Sequence, residues 1–504
     1  MSRSFTGCKR CKSRRQKCDE KRPECDRCKA AGAQCKYTFE LQWGGRSFSR
    51  SRFGAVGPGV RRLEYAPGQF IYTTDTSSPG ASTTPQSSPS APVEVKTEGT
   101  EVALVRQIDP FSSFPPEQKK LLHHFIQDAS LITSCHRGMQ SEICKMLVPM
   151  AIQTPSLLYA TMALSAIHLE ALKNHTESVK TAPDIARLIG KSLEHFRKEL
   201  QNPGMRGSDA LLATARTLCL AEIHSGAIHP NTWRAHVEGA RALMAASGSK
   251  SQTPFRSYLD RWYRSIVALT ALNGNGPPIG EISVPLPSVI ARSLQKDDPD
   301  YLDDYWGFTV RLADIFRAIG EVAWLRRQTP VPVDELEFER YAAVLEGAVQ
   351  QVMARTANTI SFYPGVEEKL SHVTIREFAL CNEAFQHTAL IHIYRRVRKI
   401  PAASPEVQHS VRRILECTSQ IEPRSGLSPW VMLTTPLFSA GCEALGPDRE
   451  TVRSLLMALY DTTRIPNVLQ SLKFLEIYWA EEPQNTDSDW SHFLDRMNFD
   501  FIPY

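Results

Sequence analysis

Long apolar runs are missing from this 504-residue chain. No uninterrupted apolar stretch reaches the roughly 18 residues that a membrane-spanning helix needs, so no membrane association is expected. The first five residues lack the apolar core of a secretory signal peptide. The content of 42% hydrophobic and 22% charged residues is that of an ordinary soluble protein with two or three domains. These absences predict a reducing, intracellular compartment.

Familiar catalytic motifs are absent as well. The chain contains no G-x-S-x-G, no H-E-x-x-H and no G-x-x-x-x-G-K-[ST]. Residues 273–278 are glycine-rich, but Pro277 and Pro278 cannot open the helix that a phosphate-binding loop requires. No catalytic residue is predicted, and the chain is not expected to be an enzyme. The enzymatic alternative, a catalyst fused to a metal module, predicts a polar cleft within residues 110–504.

What the chain has in quantity is cysteine, twelve residues in two sets. Six are scattered singly through apolar patterns, which predicts buried, reduced thiols: Cys135, Cys144, Cys219, Cys381, Cys417 and Cys442. The other six share the spacing C-x2-C-x6-C-x6-C-x2-C-x6-C: Cys8, Cys11, Cys18, Cys25, Cys28 and Cys35. In a reducing compartment, such spacing indicates metal ligands rather than disulfides.

The N-terminal cysteines form an internal duplication. Adding 17 to the position of each of the first three gives the position of one of the last three. Three thiolates cannot complete the four ligands of a tetrahedral zinc ion, and six sulfurs serve two such ions only if two sulfurs bridge. The spacing therefore predicts two Zn²⁺ ions held by six cysteines. Because so short a segment buries little apolar surface, metal binding should supply its folding energy.

The two halves of this cysteine module differ in charge. Six of the eight non-cysteine residues between the first and third cysteines are basic, against two in the second half. The six are Lys9, Arg10, Lys12, Arg14, Arg15 and Lys17. Residues 1–62 hold 17 Lys/Arg against 5 Asp/Glu, a net charge of +12, and the remainder carries −7. The asymmetry predicts that the first half faces nucleic acid while the second completes the metal cage, with Gly32 ending a helix at positive φ.

Residues 8–35 resemble the DNA-binding domain of fungal binuclear zinc-cluster transcription factors. The resemblance rests on the C-x2-C-x2-R-R-x-K-C stretch and on the proline two residues before the fourth cysteine. It implies that Cys8 and Cys25 bridge the two ions. One zinc would also take Cys11 and Cys18, and the other Cys28 and Cys35.

The same resemblance implies how DNA is read. The first helix would enter the major groove of a CGG-type site, where Arg14 and Arg15 pair with guanine. The other four basic residues of the first half would contact phosphates or fix the register on DNA.

Residues 38–109 are predicted to be a flexible linker between a module at 1–37 and a body at 110–504. Arginines alternate with phenylalanines in its first part, which favours contact with the DNA backbone over packing on the body: Arg46, Phe48, Arg50, Arg52 and Phe53. Residues 73–100 are rich in Ser, Thr and Pro and are predicted to be disordered. No apolar heptad runs from 38 to 110, so no dimeric coiled coil is expected there.

Helical periodicity dominates the body, and alternating strand patterns are scarce. Start signals at 154–155, 208–209 and 253–254 open three helices. The predicted helices are 157–172, 210–225, 255–272, 308–326, 333–356, 366–397, 405–420, 428–445, 448–461 and 466–481. The predicted fold class is a small zinc-stabilised module with two short helices, a disordered linker, and a large all-α C-terminal domain with antiparallel helix pairs.

Three segments of the body, 149–168, 233–243 and 435–444, resemble the fungal-specific transcription factor domain. This resemblance implies an all-α regulatory domain that senses inputs and can form a homodimer. It also implies that the region can bind a small-molecule effector.

Chemically reactive groups in the body are expected to be structural. Packing and hydrogen bonding are favoured over ligand contact for a cluster at helical spacing: Glu222, His224, Trp233, Arg234 and His236. Cys442 beside Glu443 is expected to be a buried small residue rather than a nucleophile. The aromatic tail 499–504 is expected to dock on the body rather than to serve as an acidic-aromatic activation element.

These patterns predict a nuclear, zinc-dependent DNA-binding regulator of transcription. It would act at CGG-type half-sites in RNA polymerase II promoters and activate a metabolic or secondary-metabolite gene set. Its expected partners are double-stranded DNA, the transcription machinery, a small-molecule effector and a second copy of the chain through the C-terminal domain. The alternative is a zinc-cluster scaffold that binds proteins without sequence-specific DNA binding.

Overall fold

The structure is a computed structural model that forms two compact units, residues 1–112 and 113–504. It describes the following residues: 8, 10, 11, 14, 16, 18, 19, 21, 24–35, 111–173, 184–205, 207–226, 232–247, 253–273, 300–329, 334–357, 360–481, 490–497 and 502–504. The predictions made for the linker, including its Arg/Phe alternation and its Ser/Thr/Pro-rich part, lie outside these residues.

The N-terminal unit contains one complete short helix among its described residues, α1 (Asp26–Ala30). Its N-cap is Cys25, whose sulfur accepts a hydrogen bond from the backbone N–H of Cys28. Gly32 follows the C-cap with φ +56°, a conformation that glycine adopts without a steric penalty. The positive φ predicted at Gly32 is confirmed. Of the predicted first helix, Arg10 and Cys11 are helical, and several neighbours lie outside the described residues.

The C-terminal unit is built from helices. Their bounds are α2 Pro116–His124, α3 Arg137–Gln153, α4 Pro155–Ala171, α5 Ile185–Gln201, α6 Asp209–His224, α7 Thr232–Ser247, α8 Pro254–Asn273, α9 Val310–Gln328, α10 Glu335–Thr356, α11 His372–His392, α12 Pro405–Ser419, α13 Thr434–Glu443, α14 Asp448–Thr463, α15 Pro466–Glu481 and α16 Ser491–Arg496. A π-helical turn, Ile393–Arg398, extends α11, and another, Phe125–Ala129, with the short helix Ser130–Ile132 follows α2. Single 3-10 turns lie at Glu367–Lys369 and Pro429–Met432.

Helix starts follow the predicted capping chemistry with one exception. The Ser208 hydroxyl accepts the Leu211 N–H at the start of α6, and the Thr253 hydroxyl accepts the Arg256 N–H at the start of α8. Thr154 is the N-cap residue of α4, but its side chain makes no capping hydrogen bond. Pro155 at the first helical position is therefore the effective start signal of α4, because its fixed φ suits a helix and its missing N–H needs no partner there.

Packing joins helices that are neighbours in sequence. The closest pairs are α4 with α5, α6 with α7, α8 with α9, and α11 with α12. Helices α4 and α6 are buried along most of their length, with α6 buried at every position after Asp209, so they form the centre of the core. No strand occurs among the described residues beyond two isolated bridges at Leu302. The predicted fold class is confirmed, and no described helix is both long and apolar enough to cross a membrane.

A short loop, residues 300–309, turns back on itself and is held against the helices by ion pairs. Arg261 of α8 donates to both Asp303 and Asp304, and Asp304 lies 2.8 Å from His136 at the start of α3. Gly307 in this segment has φ +77°, and a Cβ there would lie 2.6 Å from the Cys381 sulfur. Glycine at this position lets the segment lie against α11, which fixes the neighbouring Trp306 in the core.

The C-terminal residues dock on the body, as predicted. Asn467 of α15 donates to the Ile502 carbonyl, and its side-chain oxygen accepts the Tyr504 N–H at 3.1 Å. Thr435 of α13 donates to the Pro503 carbonyl. Residues 502–504 are buried.

Candidate metal centre and nucleic-acid interface

The six N-terminal sulfurs converge. One group of four consists of Cys8, Cys11, Cys18 and Cys25, and a second of Cys8, Cys25, Cys28 and Cys35. Within each group all ligand atoms lie within 4.8 Å of one another. Cys8 and Cys25 belong to both groups, and both side chains are fully buried. Two sites that share two sulfurs are the arrangement that the count of six cysteines predicts.

The sulfur spacing fits zinc. Zn–S bonds of about 2.3 Å at tetrahedral angles place neighbouring sulfurs about 3.8 Å apart. The Sγ–Sγ distance is 3.8 Å from Cys8 to Cys25, 3.8 Å from Cys11 to Cys25 and 3.5 Å from Cys8 to Cys28. All six donors are thiols, which suit zinc and exclude the oxygen-seeking ions calcium and magnesium.

The duplication extends from sequence to backbone hydrogen bonds. In the first half, the Cys11 N–H donates to the Cys8 sulfur at 3.5 Å, and the Cys8 N–H donates to the Cys18 sulfur at 3.5 Å. The second half repeats both bonds 17 residues later, with lengths of 3.4 Å and 3.4 Å: Cys28 to Cys25, and Cys25 to Cys35. Each half therefore presents the same arrangement of three sulfurs.

The pKa of Cys25 is shifted in the opposite direction from that of Cys11 and Cys28. Burial works to raise the pKa of Cys25, but hydrogen bonds led by the Cys28 N–H outweigh it and lower the pKa to about 6. Burial raises the pKa of the Cys11 and Cys28 thiols. Cys25 is therefore already a thiolate at neutral pH, whereas Cys11 and Cys28 must release a proton when a metal binds.

Acidic residues hold the loop between the two halves. The Asp19 carboxylate accepts the Asp26 N–H at 3.0 Å, and Lys21 donates to the Asp26 carboxylate at 2.7 Å. These hydrogen bonds were not predicted from the sequence. The available signal was an acid immediately after each of the third and fourth cysteines, because Asp and Asn bond readily to nearby backbone N–H groups.

The predicted DNA-contacting residues are only partly described. Arg14 is exposed, and its N–H donates to the Arg10 carbonyl at 3.1 Å in a helical pattern. The Arg10 guanidinium reaches across the module to the Arg27 carbonyl at 3.4 Å and the Cys28 sulfur at 4.0 Å. Lys9, Lys12, Arg15 and Lys17 lie outside the described residues. Arg10 thus joins the two halves in addition to the role predicted for it.

Packing and pairing within the body, as expected, involve Trp233, Glu222, Cys442 and Glu443, whereas His224 also lines a cavity. Trp233 is buried with the Arg234 guanidinium 4.5 Å from its ring, and Thr232 donates to Glu222. Cys442 is buried, and the neighbouring Glu443 pairs with Arg395 at 2.7 Å. The six cysteines of the body are all buried and none forms a disulfide, which confirms that prediction.

Two known protein families match the chain, one in its N-terminal part and one in its C-terminal part. The family model described as the fungal Zn(2)-Cys(6) binuclear cluster domain matches residues 6–44. The family model described as the fungal specific transcription factor domain matches residues 120–504. No curated protein and no solved structure matches the chain.

Proposed function

Because the chain belongs to the fungal specific transcription factor domain family and carries a binuclear cluster domain that binds two zinc ions and DNA, we propose that it recognises CGG-type half-sites at RNA polymerase II promoters. The observation that carries the proposal is the contrast between two cysteine halves with matching backbone hydrogen bonds and unequal charge. A module that only stored or enclosed metal would have no need to concentrate basic residues on one half.

The proposed zinc ligands follow the two sulfur groups. Cys8 and Cys25 bridge, Cys11 and Cys18 complete the first ion, and Cys28 and Cys35 complete the second. The ions cross-link a segment that has little apolar core, and their chemical role is structural. With both ions bound to six thiolates, residues 8–35, which hold ten Lys/Arg and four Asp/Glu, carry a net charge of +4. The loaded module thus stays attractive to DNA.

The proposed base readers are Arg14 and Arg15. Arginine matches the O6 and N7 acceptors of guanine, and a CGG triplet offers two adjacent guanines. Arg14 is exposed, as a base reader must be. Lys9, Arg10, Lys12 and Lys17 are proposed to contact phosphates or fix the register, which supports affinity without reading sequence.

The helical domain is proposed to regulate the reader. In this proposal the protein is a nuclear activator of a metabolic or secondary-metabolite gene set. The C-terminal domain forms a homodimer, receives a small-molecule effector and contacts the transcription machinery. Both matched families are transcription factor domains rather than enzyme families, which supports a regulator over a catalyst.

The test compares matched substitutions in the two halves. Full-length, zinc-loaded protein is titrated against a CGG-containing duplex and a scrambled duplex by fluorescence anisotropy. Arg14→Ala and Arg15→Ala should each reduce the preference for CGG by about 1–3 kcal/mol. Arg27→Ala and Lys29→Ala change exposed basic residues of the second half and should leave the preference unchanged.

Salt dependence separates the proposal from the protein-interaction scaffold. Binding through several Lys and Arg residues should weaken steeply as salt rises, since counterions are released from DNA. Equal affinity for CGG and scrambled duplexes at every salt concentration would favour the scaffold. Loss of CGG preference in the second-half variants but not in the first-half variants would reverse the assignment of the two halves.

A further inference from the structure

Arg216 of α6 stands out among the buried arginines of the helical domain. Six arginines are buried there: Arg216, Arg256, Arg311, Arg326, Arg395 and Arg396. Each of the other five lies beside an oxygen atom, either a carboxylate that balances its charge or a carbonyl that accepts a hydrogen bond from it. For example, Arg395 pairs with Glu443 and Arg256 with Asp209. Arg216 has no ion pair and no hydrogen bond to any described residue, and its Nε has no partner.

The isolation of Arg216 is energetically costly. Arg216 is only 4% exposed. A guanidinium does not lose its proton in a protein, so the buried group is charged. A charge buried without a counter-charge costs several kcal/mol after relaxation. The Tyr258 ring, with its centroid 5.0 Å from the guanidinium, offers a cation–π contact that offsets part of this cost and neutralises none of the charge.

A cavity adjoins the guanidinium. It has a volume of about 20 Å³ and is lined by Arg216, His224, Trp306, Tyr504 and apolar side chains of the surrounding helices. A second cavity of about 10 Å³ shares Ile132, Thr133, His224 and Ile465 with the first. The Trp306 indole N–H, on a residue 2% exposed, has no hydrogen-bond partner among the described residues. Two buried donor groups without acceptors therefore border one cavity.

No other cation shares this cavity at neutral pH. Burial, together with the charges of His168 and Arg216, lowers the pKa of His224 to about 3. Burial and the charge of His124 lower the pKa of His168 to about 4. Both imidazoles are neutral, so Arg216 is the one cationic side chain among the described residues that line this cavity. Thr133 and Tyr504 add hydroxyl groups to the polar part of the wall, and the rest of the lining is apolar.

We propose that this cavity is a binding site for a small monoanion, with Arg216 as its counter-charge and Trp306 as a second donor. The anion must be small, because the cavity has a volume of only about 20 Å³. A free inorganic anion and the carboxylate of a small metabolite share this chemistry. The inference rests on the proposed function in one respect, because it gives a chemical class to the small-molecule effector proposed there.

The test measures thermal unfolding of the full-length, zinc-loaded protein without DNA. Sodium formate or sodium nitrate replaces sodium gluconate at constant ionic strength, because gluconate is too large for the cavity. Formate and nitrate should raise the unfolding temperature of the helical domain in a saturable manner, by roughly 1–3 °C at ten times the dissociation constant. Arg216→Met should abolish the rise. Arg216→Lys should keep part of it, with a half-saturating concentration about tenfold higher.

Controls separate the site from general salt effects. Arg317→Met removes an exposed arginine that pairs with Glu321, and it should leave the response unchanged. An acetate, propionate and butyrate series distinguishes the two sources of the anion. A response that ends with formate and nitrate supports an inorganic ion, and one that continues to longer acids supports a metabolite carboxylate.

Three results would overturn the proposal. They are an unsaturable response, the same response in Arg216→Met, or no response in the wild-type protein, which would leave a buried water as the only occupant. If Arg216→Met does not fold, Trp306→Phe decides, because an unchanged half-saturating concentration would remove the second donor from the site. DNA is absent from the measurement, so failure here leaves recognition of CGG untouched, and failure of CGG recognition leaves this site untouched.

Discussion

The twelve cysteines are used in opposite ways in the two units. In the N-terminal unit, six sulfurs lie in two overlapping groups and form the centre of the structure. In the helical unit, the other six are buried and form no disulfide. Burial raises the pKa of Cys135, Cys219 and Cys381 well above the ordinary value, so these thiols stay protonated. The same side chain is thus a metal ligand where no apolar core exists and a small core residue where one does.

Zinc removal should produce the largest difference in stability between the two units. A strong chelator added to the full-length protein should release two zinc ions per chain and expose six thiols to a labelling reagent. The helical unit should keep its unfolding temperature, since its order comes from apolar burial. Thiol counting with and without denaturant checks this prediction. Rapid labelling of all twelve cysteines after chelation alone would show that the two units do not hold their structure by separate means.

Acid should weaken the helical unit through its buried histidines. Burial, as the largest cause in each, lowers the pKa of His168, His236 and His387 to about 4 and that of His224 to about 3. The unfolded chain takes up protons near pH 6.5 while the folded chain does not, so stability is full above pH 6.5 and falls as pH drops toward 4. Each histidine should remove roughly 1–2 kcal/mol of unfolding free energy between pH 7 and pH 5.

Urea unfolding at several pH values checks the acid effect. His387→Gln should reduce the pH slope by the share of one histidine. A flat profile between pH 7 and pH 5 would contradict the neutral state assigned to these side chains.

Substitution within a buried ion pair of the helical unit should lower its stability strongly. Arg395 and Glu443 are both 0% exposed and lie 2.7 Å apart. Glu443→Gln removes the buried carboxylate that pairs with Arg395 and should lower the unfolding free energy by about 3–5 kcal/mol. The matched change Glu339→Gln breaks an exposed pair with Arg398 and should cost about 0–1 kcal/mol. Equal losses in urea unfolding would mean that burial does not set the strength of these pairs.

Two glycine substitutions should produce the smallest effects, with opposite signs. Gly32 has φ +56° and open space around its Cβ position, so Gly32→Ala should cost about 1–2 kcal/mol of module stability and weaken zinc retention in competition with a chelator. Gly190 lies within α5, also with open space, and Gly190→Ala should stabilise the helical unit by roughly 0.5–1 kcal/mol. A stabilising effect at Gly32 would contradict its role as the helix-ending residue.

Local signals explain which parts of the fold the sequence predicts. Capping residues and prolines predict the starts of α6 and α8, and both helices begin within a residue or two of the predicted position. The predicted helix 428–445 is instead a 3-10 turn and α13, and the predicted helix 366–397 begins with a separate 3-10 turn. Helix α3 was not predicted, because His136 is an unusual N-cap and Pro149 lies inside the helix.

Long-range partnerships are the part that the sequence does not predict. Arg395 and Glu443 lie 48 positions apart, and Asp304 and His136 lie 168 apart. No local periodicity links such residues, since only the packed helices bring them together. The cysteine module is the opposite case, because its fixed 17-residue offset encodes the geometry of the sulfurs in the spacing itself.

The membership of Cys8 and Cys25 in both sulfur groups has a consequence for how the module fills with zinc. Capture of the first ion fixes two of the four sulfurs needed by the second, so the second ion meets a site that is already half assembled.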